Sequence, residues 1–271
     1  MEQSITASAA AFDAIASRYD DLFSAAANPL IAMMRARVLR VVDRHFPEPA
    51  RLLEIGCGTG EDALALVERG HQVVACDPAP AMIATARAKV AAAGRSGAVE
   101  FMTGTVEEIA DRWPARAQAV DGVFSNFAPL NCELSLDPLR LLLERAVRRG
   151  GRLLAVVLPR VCPLEIALFM ARAQPAAALR RLRRAALADV EGQRFAMKYY
   201  GAKDFDRGLG SGFKRVETRS LGLFLPPIAF GRAFARVPGL LAALGVLDDR
   251  TSALPGLRHM GDHVLLVYER T

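Results

Sequence analysis

The residues best suited to hold a ligand are three alternating glycines in the stretch Glu54-Ile-Gly56-Cys57-Gly58-Thr-Gly60-Glu61-Asp62. Glycine has no Cβ, so the chain can turn tightly there and a ligand can press on bare backbone. The apolar run Leu52 to Ile55 before them reads as a buried strand. A helix follows from about 61 to 69, with Leu64 and Val67 on one face and Gly70 as its stop. Strand, glycine turn and helix N-terminus make a nucleotide-binding corner. The charges narrow the ligand. A dinucleotide fingerprint requires glycine where Glu61 stands, and the Gly-Lys-Ser/Thr of a phosphate loop is absent. Glu54, Glu61 and Asp62 suit the helix dipole but repel a pyrophosphate. They favour a ligand that carries an ammonium and a sulfonium and no phosphate, and S-adenosylmethionine is such a ligand.

A second carboxylate stands in register. Asp77 ends the next apolar run, Val73 to Cys76, 21 positions after Gly56. A carboxylate there can accept hydrogen bonds from both hydroxyls of a ribose. Glu-Ile-Gly-Cys-Gly-Thr-Gly followed by the acid of Val-Val-Ala-Cys-Asp resembles the class I S-adenosylmethionine-dependent methyltransferases. The resemblance covers residues 12–160 well and the final strands loosely. It implies an α/β fold, a Rossmann-like seven-stranded methyltransferase sheet with helical cap insertions, and S-adenosylmethionine as cofactor. It places Glu54, Gly56, Cys57, Gly58, Gly60, Asp77 and Pro78 at the cofactor. Met82 corresponds to a position near the adenine. The loop of Gly104, Thr105 and Val106 is expected against the adenine as well. Many relatives have an acid directly after this glycine, where this chain has Thr105. The stretch around Phe12, Ile15 and Tyr19 resembles the N-terminal helix that covers the cofactor, and its aromatics can shield the sulfonium.

The elements that must position these residues follow from periodicity and breakers. Residues 1–50 are expected to form an N-terminal helical lid, frayed over the first ten residues, broken at Asn28-Pro29 and continued by a helix over 30–45. Residues 51–159 form the cofactor-binding core. Its third strand is Val99 to Met102, and Thr105 with Glu108 reads as a capping box. Its fourth strand, Val120 to Ser125, delivers Ser125, Asn126 and Phe127 to the strand carboxyl ends, where ligands sit in open parallel sheets. Its fifth is Arg152 to Leu158. Residues 160–212 read as a helical substrate cap that includes a basic helix over 179–184. Tyr199 and Tyr200 follow it, to cover the substrate or to pack the cap. Residues 213–271 hold the C-terminal strands of the core with a helical insertion. Asn126, Tyr199 and Tyr200 are the catalytic candidates. His259, Asp262 and His263 lie near the last crossing, with His263 read as structural.

Composition bounds the rest. With 271 residues, 52% hydrophobic and 24% charged, the chain has the makings of a packed core and not of a disordered one. Cys57, Cys76, Cys132 and Cys162 form no Cys-x-x-Cys pair, so reduced thiols, no metal site and a cytoplasmic location are expected. No signal peptide and no long uncharged apolar run is visible. Charge is uneven: residues 1–135 hold 12 basic against 17 acidic residues, and residues 136–271 hold 23 against 12. The basic half can face an anionic substrate or a membrane surface, or be a solvated surface.

The expected activity is methyl transfer to an oxygen, nitrogen or carbon of a small-molecule acceptor in specialised or lipid-like metabolite biosynthesis. A sulfonium is already activated, so alignment and desolvation suffice and no triad or metal is required. Two alternatives use the same corner. One is non-methylating chemistry, cyclisation or aminocarboxypropyl transfer releasing methylthioadenosine. The other is a nonenzymatic cofactor-binding partner protein. A nucleic-acid substrate is not expected, because the sequence after the fourth strand is Ser-Asn-Phe-Ala-Pro and one basic helix is insufficient. Peripheral membrane contact stays open, as does oligomeric state.

Overall fold

The computed structural model describes residues 2–114, 119–183 and 185–271. In chain order its main elements are α1 (Glu2–Ile15), α2 (Pro29–His45), β1 (Arg51–Ile55), α3 (Glu61–Val67), β2 (Gln72–Asp77) and α4 (Pro80–Ala92). Then come β3 (Val99–Thr103), α5 (Val106–Arg112), β4 (Val120–Ser125), α6 (Asp137–Ala146), β5 (Val147–Val157) and α7 (Pro163–Ala171). The chain ends with β6 (Ala185–Val190), β7 (Gln193–Lys198), α8 (Ala202–Leu209), β8 (Phe213–Leu221), α9 (Pro238–Thr251) and β9 (His263–Arg270). Proline opens α2, α4, α7 and α9, where its missing N–H leaves nothing unpaired. The Asn28 side chain caps α2 by accepting from Leu30 N at 3.0 Å. Thr105 and Glu108 form the expected capping box on α5.

Seven strands form one sheet in the order β3-β2-β1-β4-β5-β9-β8. β3 to β5 run parallel, and β9 is antiparallel to both β5 and β8. Side chains alternate across it. Leu53, Val74, Val123 and Leu153 face a core closed by α5, α6 and α8. Leu52, Val73, Phe124 and Leu154 face the opposite core, closed by α2, α3 and α4. Each fully buried side chain of this kind contributes roughly 1.5–3 kcal/mol. The parallel strands all end at one edge, so Ile55, Asp77, Thr103 and Ser125 come to a common rim.

The flanking segments differ from expectation in four places. First, the N-terminal segment is helical from Glu2, and only residues 2–23 lie over the sheet's rim. Val38, Val41 and Val42 of α2 belong to the main core. Second, the insertion expected to be helical contains a hairpin, β6 with β7. Its turn is made by Glu191 (φ 50°) and Gly192 (φ 85°), the left-handed pair that a two-residue hairpin needs. The basic run over 179–184 is a single 3-10 turn at Arg180–Arg183, and Arg184 lies outside the described residues. Third, α8 is part of the core, because Phe205 and Leu209 are buried against α6 and β8. Fourth, the segment between β8 and β9 packs on α2. Leu241 joins Leu30 and Leu225, and Arg37 pairs with Asp249 at 2.7 Å. Among the described residues no helix is long and apolar enough to cross a membrane.

Candidate functional site

A cavity of about 860 Å³, including its open mouth, sits at the carboxyl ends of β1, β2 and β4. Its floor is Ile55 and Gly56 with Cys76 and Asp77. One wall is Gly104, Thr105 and Val106, and the other runs from Asn126 to Glu133. Ser8, Ala9, Phe12 and Tyr19 form the roof.

The floor depends on a turn that only glycine permits. Gly56 has φ +71°, and a Cβ there would lie 2.2 Å from Pro129 Cβ. Gly60 (φ +79°) starts α3 with Ala86 so close that a Cβ would sit 2.9 Å away. The turn is held from β2. Asp77 Oδ2 accepts from Gly58 N and Oδ1 from Ala79 N, both at 2.9 Å. A carboxylate has about four acceptor positions, so Asp77 keeps capacity for ligand hydroxyls. It is 8% exposed, and burial raises its carboxyl to about 6 against the opposing pull of the Ala79 and Gly58 amides.

The roof is tied down by polar contacts. Thr59 Oγ1 donates to Asp20 Oδ1 at 2.6 Å, and Lys89 Nζ meets Asp20 Oδ2 at 2.7 Å. Asp13 Oδ1 accepts from Ala81 N at 2.7 Å. Phe12 packs on Tyr19 (6.3 Å between ring centroids) and on Phe195 of β7 (5.5 Å), so the hairpin supports the lid.

The acids at the start of α3 do not face the cavity as free charges. Arg35 Nη1 is 2.7 Å from Glu61 Oε2, and its Nε is 2.7 Å from Asp62 Oδ1. Asp62 Oδ2 accepts from Asn126 Nδ2 at 3.1 Å, and the Arg35 guanidinium lies 5.0 Å from the Phe127 ring centroid. Arg35 therefore offsets one of the two negative charges of Glu61 and Asp62 and weakens the repulsion of a phosphate without removing it. Glu54 lies behind the turn, 2% exposed. Burial and then Asp62 hold its carboxyl well above the usual carboxylate range, while Arg35 pulls it down.

Of the expected cofactor residues, Tyr19, Gly56, Gly58, Asp77, Pro78, Met82, Gly104, Thr105, Val106, Asn126 and Phe127 line this one cavity. Glu54, Cys57, Gly60 and Ser125 stand behind its wall. Ser125 Oγ donates to Ile55 O at 3.0 Å and cross-ties the strands, and burial pushes the Cys57 thiol up. The catalytic candidates divide. Asn126 reaches the cavity, but both ends of its amide are committed, since Oδ1 accepts from Phe127 N at 2.9 Å. Tyr200 lies outside the lining. Its hydroxyl donates to the Glu133 carbonyl at 2.5 Å and its ring packs edge-on to Phe205. Tyr199 lies outside it too, 4% exposed beneath Arg181. The sequence pointed to polar phenols, whereas packing has used both as core side chains.

Arg181 itself is buried and sits 2.6 Å from Glu165 and 2.8 Å from Asp262. Cys162 joins those two carboxylates, its sulfur within 4.8 Å of their oxygens, with Asp262 brought from far along the chain to the neighbours Cys162 and Glu165. Arg181 together with Arg180, 3.1 Å from Glu165, balances the two carboxylates, so the cluster reads as an ion-pair anchor for the insertion. His263 starts β9 against Asp262 (3.5 Å) and meets Phe127 edge-on at 5.8 Å.

Sequence reasoning missed Ser8, Ala9, Leu130, Cys132 and Glu133 in the lining. Phe127 (φ 55°) and Ala128 (φ 72°) are left-handed without being glycine, and they turn the loop after β4 into the cavity. Such residues store on the order of 1–3 kcal/mol each and cluster at ligand sites.

Comparison with known proteins agrees with this architecture. Residues 52–151 match the family described as Methyltransferase domain. They form a domain of the class I S-adenosylmethionine-dependent methyltransferase family, whose cofactor is S-adenosylmethionine. The chain is 35% identical over 71 residues to tRNA 5-carboxymethoxyuridine methyltransferase of Escherichia coli (strain K12), covering 26% of this chain and 27% of that protein. It is 37% identical over 159 residues to demethylmenaquinone methyltransferase of Thermus thermophilus, covering 55% of this chain and 64% of that one. The chain thus spans between about a quarter and two thirds of these relatives' lengths. The CcbJ methyltransferase structure from Streptomyces caelestis has the same fold, with TM-score 0.59, 16% identity, and 95% and 96% of the two chains covered. The residues present fit the cofactor: Asp77 has acceptor positions for a ribose, and Met82 and Val106 offer apolar surface to a purine.

Proposed function

We propose that the protein transfers the methyl group of S-adenosylmethionine to an oxygen, nitrogen or carbon of a small, largely apolar acceptor. One observation carries this reading: the Gly56–Gly58 turn and the Asp77 carboxylate meet in a single cavity roofed by aromatics. When bound, the cofactor supplies an activated methyl on sulfur. The chain does the rest. Asp77 orients the ribose, the backbone of Gly56 and Gly58 admits the amino-acid end, and Phe12 and Tyr19 exclude water. Asn126 and Phe127 border the reacting end, with Asn126 held by Asp62. No described side chain stands out as a base at that end, which suits an acceptor whose nucleophile is already electron-rich.

The apolar wall of Phe12, Phe127 and Leu130 supports a lipid-like acceptor over a nucleic acid. The demethylmenaquinone relative, by its name, methylates a quinone, while the tRNA relative shares only 71 residues. Met170, Leu182 and Leu187 of the insertion are 51–71% exposed and suit delivery from an apolar phase or peripheral membrane contact.

The test is incubation with methyl-tritiated S-adenosylmethionine and fractionated extract. Label in a small organic-soluble product together with S-adenosylhomocysteine is expected. Release of methylthioadenosine would instead identify non-methylating use of the cofactor. Intact cofactor binding with no turnover in any fraction would leave a binding protein.

A further inference from the structure

We propose that the Glu133 carboxylate is the hydrogen-bond acceptor for the exocyclic amine of the bound cofactor's purine. This rests on the cofactor reading above and extends it to a residue that sequence reasoning passed over.

The strand order fixes which end of the cavity holds the base. Asp77, the sugar carboxylate, ends β2. β3 lies on one side of β2 and β1 with β4 on the other. A nucleoside laid across these ends with its ribose at Asp77 directs its base to the β3 side, where Gly104, Thr105 and Val106 line the cavity.

An amine there needs an acceptor, and in the loop after β3 the capping box engages the side chains of Thr105 and Glu108, with Glu108 outside the lining of this cavity. Thr105 Oγ1 is engaged by Glu108 N at 3.2 Å, and Glu108 Oε2 by Thr105 N at 2.8 Å. Glu133 comes to the same cavity from the loop after β4 and is 7% exposed. Among the described residues its carboxylate has no hydrogen-bond partner. The groups it senses or perturbs are Glu107 on α5, Cys76 on β2, Cys132 beside it and Tyr200 after β7. The Arg35–Asp62 cluster at the opposite end is not among them. Burial and then Glu107 push its carboxyl up to about 7, the cost of keeping an unpaired carboxylate out of water. An N–H donor relieves that cost.

The loop is also braced. Tyr200 donates to the Glu133 carbonyl, Lys198 Nζ to Leu134 O at 3.0 Å, and Asn131 ties Leu158 to Lys198. The insertion thereby sets where Glu133 stands, which gives Tyr200 and Lys198 a positioning role.

The test compares S-adenosylhomocysteine with its analogue bearing hydrogen at purine C6, by calorimetry at pH 8. Wild type should prefer the amine by at least about tenfold, the scale of one charged hydrogen bond. In Glu133→Met and Glu133→Gln that preference should shrink to within about threefold, with the deaminated ligand bound as before. Wild type alone gives a second readout that needs no variant. The preference should grow as pH rises through about 7, because Asp77 affects both ligands alike and cancels in the ratio. An equal preference in wild type and variants, or one that does not change between pH 6 and 8.5 (test conditions of about one unit on either side), overturns the proposal. So does a variant that binds both ligands normally and loses only methyl transfer, since Glu133 would then serve the acceptor. Failure of wild type to bind either ligand overturns the cofactor reading itself.

Discussion

Asn126 donates to Asp62 at 3.1 Å inside the protein, joining the end of β4 to the first turn of α3 beside the glycine corner. The other Asp62 oxygen holds Arg35. Asn126 is therefore a positioning residue for the wall of the site. Asn126→Ala removes one partner from a buried carboxylate, which should cost about 1–3 kcal/mol of stability. Chemical denaturation measures this. An unchanged midpoint with only the acceptor KM raised would make Asn126 a substrate contact instead.

Cofactor affinity should depend on acid pH through Asp77. Its carboxyl sits at about 6 in the free protein, and ribose hydroxyls donate to the ionised form. Binding therefore favours loss of the proton, and affinity should fall as pH drops through about 6. Titration of S-adenosylhomocysteine between pH 5 and 8 (roughly the span over which such a group changes charge) reads it. Asp77→Asn should flatten the Asp77 limb.

The two tyrosines after β7 should be dispensable for chemistry. Tyr200→Phe loses one hydrogen bond to a carbonyl, about 1 kcal/mol, and Tyr199→Phe less. Both variants should keep kcat within a few-fold of wild type. A loss of a hundredfold or more in either would restore the catalytic role that the sequence suggests (such a loss is the ordinary scale for removing a general acid or base).

Arg181 should matter for folding. Removing it leaves Glu165 and Asp262 buried as uncompensated neighbours, although Arg180 still reaches Glu165 at 3.1 Å. Arg181→Met is expected to lose about 3–5 kcal/mol in thermal or urea unfolding. Replacing all three by apolar residues of similar volume should recover much of that.

The parts of the fold visible in the sequence are those set by local rules. The sheet's parallel half, the glycine corner and Asp77 follow from apolar runs, breakers and one spacing, and the structure puts them where that reading expects. The hairpin over 185–198 was hidden because Ala-Ala-Leu-Ala-Asp-Val has weak strand preference and its turn carries only one glycine. Glu133 was hidden because the cavity it lines is assembled from α1 and the loops after several strands, which no local pattern around Leu-Asn-Cys-Glu announces. Arg35 was hidden for the same reason. It lies 26 positions before Glu61 and pairs with both Glu61 and Asp62, which sequence proximity leaves bare. The arginines of 179–184 looked like a surface for anions, yet Arg180 and Arg181 are held by Glu165.

The corner formed by Gly56, Gly58 and Asp77 is expected to hold the adenosyl cofactor. Calorimetric titration of S-adenosylhomocysteine into wild type and Asp77→Ala tests it directly. Saturable one-to-one binding is predicted, weakened by at least about tenfold in the variant, as loss of charged hydrogen bonds to a ribose requires. Equal affinity in both proteins, or preference of the wild type for a nicotinamide dinucleotide, would contradict it.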